Sequence, residues 1–100
     1  MNTAVMLKVS AKSSPNAVAG ALAAALRERD SVEVQAVGAG AINQAIKAVA
    51  IARGFLKGAQ LDAVCSPSFV VVAIGESERT AISLMVERRK LEEKASQIED

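Results

Sequence analysis

Residues 5–37 read VMLKVSAKSSPNAVAGALAAALRERDSVEVQAV, a strand, a helix and a second strand in succession. Over residues 4–10, Val5, Leu7 and Val9 alternate with Met6 and Lys8, the period-two pattern of a short strand. Ser14 is placed to cap a helix and Pro15 to open it, because proline's missing N–H is not needed in the first turn. That helix is predicted over residues 15–29, with Val18, Ala21, Leu22, Ala25 and Leu26 at helical spacing as its core stripe. Gly20, Ala23, Ala24 and Arg27 fall on the other face, where a mid-helix glycine points to close packing. Alternation resumes over residues 32–37, with Val32, Val34 and Ala36 on one side. Parallel pairing of the two strands implies a right-handed crossover through the helix.

Downstream, the turn GAGA leads into a second helix over residues 41–56, with Ile42, Ala45, Ile46, Val49 and Ala52 or Arg53 as one stripe. Ala48, Ala50 and Ile51 leave its opposite side nearly as apolar, so burial on two sides is expected. The sheet is one cover and a partner subunit the expected second, with Ile51, Ala48 and Ala52 as the dimer interface. Gly58 marks the helix stop. A third strand starts at residues 61–65, is interrupted or marked as an edge by Pro67, and resumes as FVVVAI over 69–74. The turn GESE and a fourth strand over 80–87 follow. The expected fold is a two-layer α/β sandwich in the order β-α-β-α-β-β, a four-stranded mixed sheet with two helices on one face. Residues 1–88 form its single domain; residues 89–100 are a charged tail, and the segment from residue 88 onward has helical spacing at Leu91, Ala95 and Ile98.

Composition narrows the chemistry. The chain has 100 residues, 51% apolar and 2% aromatic, with no Trp, Tyr or His. One domain with one core fits that length. The near absence of aromatics removes stacking platforms for single-stranded nucleic acid. Without His, neither a Ser–His nor a Cys–His nucleophile pair can be built, and one cysteine, Cys65, closes no disulfide within the chain. No metal site, cofactor or catalytic residue is expected. No segment approaches the roughly 20 apolar residues of a membrane span, and no secretory leader is apparent at the start, so a cytoplasmic protein without membrane contact is expected.

Net charge is only +1, yet it is unevenly spread. Residues 1–20 hold Lys8 and Lys12 and no acid; residues 38–61 hold Lys47, Arg53 and Lys57 and no acid. In the expected topology both helices begin at the carboxyl edge of the sheet, where open α/β sheets bind ligands. Lys12, Ser13 and Asn16 stand at one helix start, and Gly40, Asn43, Gln44 and Lys47 at the other. Free N–H groups and the positive helix ends suit phosphate. GAGAIN (38–43) also resembles the opening of a dinucleotide fingerprint, but Asn43 holds the third glycine position. A Ser–Lys nucleophile at Lys12 has no supporting residues, and Glu76 and Glu78 read as a solvated turn.

The strings LKVSAKSSPNAVAGALAAALRER (7–29), VQAVGAGAINQAIKAVAIARGFL (34–56) and ERTAISLMVERR (78–89) closely resemble the stage V sporulation protein S family, over residues 5–88. That resemblance implies a small bacterial regulatory protein linked to spore development. In pattern the chain is also similar to the Alba chromatin proteins, which are dimeric and bind DNA and RNA. Lys12 precedes Asn16, Val18, Ala21 and Leu22 with that family's spacing, and Ala41-Ile42 and Ile51-Ala52-Arg53 match its second helix. Ala11 replaces one loop lysine, Gly40 an arginine and Gln44 a further lysine, and the hairpin is expected to be short and acidic (Gly75-Glu76-Ser77-Glu78). Together these readings imply an Alba-like, homodimeric DNA- or RNA-binding regulator. Its binding residues are Lys12, Ser13, Asn16, Gly40, Asn43, Gln44 and Lys47. The alternative is a protein–protein adaptor in a developmental or division pathway.

Overall fold

Short local signals start each element. Ser14 sits in extended backbone, its side chain accepts from the Ala17 N–H at 3.2 Å, and Pro15 follows as the first helical residue. The computed structural model describes residues 5–91. Its elements are β1 (Met6–Val9), α1 (Pro15–Glu28), β2 (Ser31–Ala36), α2 (Ala39–Leu56), β3 (Leu61–Ile74) and β4 (Ser77–Lys90). The sheet order is β1-β2-β4-β3; β1 pairs parallel with β2, and β4 antiparallel with both β2 and β3. This is the expected four-stranded mixed α/β sandwich.

The strand alternation carries into the core. Val9 of β1, Val32, Val34 and Ala36 of β2, Ala63 of β3, and Leu84 and Val86 of β4 are buried on one side of the sheet, beneath the helices. On the opposite side Met6 and Met85 remain partly exposed.

Both helices are rotated from their predicted stripes. In α1 the buried residues are Ala19, Leu22, Ala23 and Leu26, while Ala21 is exposed. Alanine on every flank lets two adjacent stripes satisfy the same periodicity, and packing chooses the one that also meets α2. Gly20 lies in open space, with nothing within 4 Å of where a Cβ would stand, so it marks no close packing. In α2 the buried set is Ala41, Ala45, Ala48, Val49, Ala52 and Leu56, whereas Ile46 is 47% exposed. The second cover of α2 is α1, its main helical contact within the chain. Ala48 and Ala52 are wholly buried in this chain's own core and cannot touch a partner, which corrects the α2 dimer interface; Ile51 is half-buried.

Two terminations also differ. A 3-10 turn (Lys57–Ala59) extends past Gly58, and the reversal falls at Gln60, in left-handed backbone at φ 63°. β3 runs unbroken through Pro67 because it is an edge strand. The Gln60 carbonyl accepts from the Leu91 N–H at 3.0 Å, so even-numbered residues face β4 and Pro67 points its nitrogen to the free edge. The hairpin is not short: two 14-residue strands meet at a two-residue turn, with Gly75 at φ 61° where a type II′ turn needs glycine.

Arg88, Arg89 and Lys90 are strand residues, which corrects the helical reading of 88–100 at its beginning; residues 92–100 lie outside those described. Arg88 caps α1, donating to the carbonyls of Leu26 and Arg27 at 3.2 Å each and to Asp30 Oδ1 at 2.7 Å.

Candidate nucleic-acid interface

The loop from β1 to α1 is tied to itself by serines. Ser13 Oγ accepts from the Ser10 N–H at 2.9 Å, the Ser13 N–H donates to the Ser10 carbonyl at 3.1 Å, and Ser10 Oγ accepts from the Lys12 N–H at 3.2 Å. These bonds fold Ala11 and Lys12 into a tight turn at the carboxyl end of β1. Both Lys12 and Asn16 are exposed.

The start of α2 meets this turn. Gly38 takes φ 92° as the residue before the helix, a conformation that a side chain would strain, and no side chain caps the helix. Gly40 lies against the loop: a Cβ built on it would stand 2.9 Å from the Ala11 Cβ. One turn on, Gln44 Nε2 donates to the Ser13 carbonyl at 2.9 Å. Two helix starts far apart in sequence are thereby joined at one sheet edge, as the topology predicts.

The electrostatics at this edge have one sign. Neither helix carries an acid in its first turn, so neither positive end is neutralised locally. Among the described residues, Lys12 and Lys47 form no ion pair, and both are exposed, as is Asn43. Of the seven predicted contact residues, Lys12, Asn16, Asn43 and Lys47 present free side chains. Ser13 and Gln44 are engaged in the joint, and Gly40 permits its closeness. Ser10 and Ala11 are structural members that sequence reasoning missed. The missed signal is Gly40, whose lack of a side chain permits the close approach of Ala11.

Arg53 differs from the two lysines. It donates to both carboxylate oxygens of Asp62, at 2.7 and 3.0 Å. Hydrogen bonding from Arg53 lowers the Asp62 pKa to about 2 against an opposing burial effect, with help from the Ala63 N–H at 2.8 Å. Its charge is therefore partly spent on the start of β3.

Among the described residues no cluster of three His, Cys, Asp or Glu side chains is arranged to hold a metal ion. No helix there is long and apolar enough to cross a membrane.

A family model for stage V sporulation protein S (SpoVS) matches residues 5–89, which span both helix starts and nearly all of the sheet. The chain belongs to the stage V sporulation protein S family of sporulation-linked regulatory proteins.

Proposed function

We propose that this regulator is a homodimer that binds DNA or RNA through the phosphate backbone. The observation that carries the reading is the joint at one sheet edge. Gln44 and Ser13 hold two acid-free helix starts together, with Lys12, Asn16, Asn43 and Lys47 exposed around them. Lys12 and Lys47 supply charge; Asn16 and Asn43 supply hydrogen bonds that position a backbone without specifying bases. Ser13, Gly40 and Gln44 set the spacing of the other four. In this reading the chain is a cytoplasmic binding protein rather than an enzyme, and it uses no cofactor.

The test is fluorescence anisotropy with random duplex DNA and with single-stranded RNA, at about 50 and about 200 mM salt. Binding that weakens with salt and is weakened further by Lys12→Ala supports the reading. Absence of binding at the lower salt rejects it in favour of an adaptor.

A further inference from the structure

A groove of about 290 Å³ lies beside the end of α2, lined by Ala50, Arg53 and Gly54 of that helix, by Lys57 just after it, and by Asp62 and Leu91. Leu91 is held in place: it is half-buried, and its N–H donates to the Gln60 carbonyl at 3.0 Å. The chain therefore leaves β4 in the wall of this groove. It continues as EEKASQIED over residues 92–100, four acids against one lysine.

α2 offers that segment a basic strip. Lys47, Ala50, Gly54 and Lys57 recur at spacings of three and four and all four are exposed, so they share one face of the helix. Between the two lysines this face carries only small residues. A Cβ on Gly54 would meet nothing within 4 Å, so a second stretch of chain has room to lie close. Residues 38–61 hold no acid. Arg53 is committed to Asp62, whereas neither Lys47 nor Lys57 forms an ion pair among the described residues. The uncompensated charge of the strip is that of its two lysines.

Reach and tether agree with residues 92–100 as the occupant. Ala50 shares the groove with Leu91, and from Ala50 back to Lys47 is about 4.5 Å of helix. From Leu91 to Glu99 is roughly 12 Å at helical rise and roughly 26 Å at strand rise. Either distance covers the strip, with Glu92 or Glu93 at Lys57 and Glu99 or Asp100 at Lys47. Each exposed pair is weak alone, but attachment at Leu91 makes the encounter intramolecular and raises the local concentration of acid.

We propose that residues 92–100 fold back along α2 as a displaceable acidic strap, pairing with Lys57 at its root and with Lys47 near its end. The strap itself requires no nucleic acid. Its consequence rests on the function proposed above: Lys47 is one of two lysines assigned to phosphate, so the strap competes with a polyanion for it and leaves Lys12 open.

The experiment compares the full chain with a variant carrying Glu92→Gln, Glu93→Gln, Glu99→Gln and Asp100→Asn, with circular dichroism to check folding. Acetic anhydride acetylates the lysines, and mass spectrometry reads the rate at each. Lys47 and Lys57 should react about two- to fivefold faster in the variant, the range that exposed ion pairs support. Lys8, on the sheet face away from the helices, should react equally in both. Equal rates at Lys47 and Lys57, or the same gain at Lys8, would overturn the strap. Protection in the wild type that fades on dilution would also overturn it, by assigning the acids to a neighbouring copy. Anisotropy with duplex DNA at the lower salt then reads the competition, and the variant should bind tighter by a similar factor. Unequal lysine rates without DNA binding by either protein support the strap and reject the binding function. Unequal rates with equal DNA affinity overturn the competition.

Discussion

Gly40 and Ala11 approach so closely that a Cβ on the glycine would stand 2.9 Å from the alanine's own Cβ. The neighbour is a short, rigid group next to the backbone and cannot swing aside. The contact joins the turn that displays Lys12 to the helix that displays Asn43 and Lys47.

Gly40→Ala should therefore destabilise the chain by about 1–3 kcal/mol, the usual cost of an added methyl group in a full site. Adding Ala11→Gly should recover most of that loss. Urea unfolding of the two single variants and the double variant gives the coupling, expected to be at least about 1 kcal/mol. Strict additivity would mean that the two residues do not meet.

Salt dependence should count the phosphate contacts. If about four to six phosphates are neutralised per dimer, log K should fall with log salt at a slope near −4 to −5. Lys12→Ala and Lys47→Ala should each make the slope shallower by about 2 per dimer, one contact from each subunit. A slope unchanged by both substitutions would place the charge elsewhere.

Gly20→Ala should stabilise the chain by about 0.5–1 kcal/mol, because the position is mid-helix and the new methyl group meets nothing within 4 Å. Thermal melts at matched protein concentration read this directly. A lower melting temperature would reveal a surface lying against α1 in solution.

Acid should weaken the attachment of β3 to α2. The Asp62 pKa is held at about 2, below its unfolded value near 4. A depressed carboxylate stabilises the fold above the unfolded pKa, and that contribution disappears as pH falls through the folded one. Wild type should be more stable than Asp62→Asn at about pH 6, with the gap closing between about pH 4 and about pH 2. The gap should be small, since the Arg53 side chain is 56% exposed and solvent screens the pair. A gap independent of pH would assign the effect to the amide's geometry rather than to charge.

What the sequence shows clearly is local. Ser14 with Pro15 marks the start of α1, and the alternation of Val32, Val34 and Ala36 marks the buried face of β2. The convergence of the two helix starts follows from topology alone. Faces of the helices are harder to read, because alanine supplies no contrast between a buried and an exposed position: Ala21 is exposed and Ala19 buried. Ala48 and Ala52 look available for a partner only until α1 is placed beside them. Pro67 looks like a break because the missing N–H matters only on the paired side, and pairing direction is a tertiary fact. The serine-tied turn is invisible for a similar reason, since Ser10 belongs to it only once β1 has ended.

Pro67 has a consequence for how the molecule keeps company at high concentration. A long edge strand with no charge from Ala63 to Ile74 is the type of surface on which foreign strands zip and fibrils seed. The proline removes one donor from the middle of that row, leaving two short runs in place of a long one. An incoming strand loses register support at the gap. The outer edge of β3 thereby resists runaway growth.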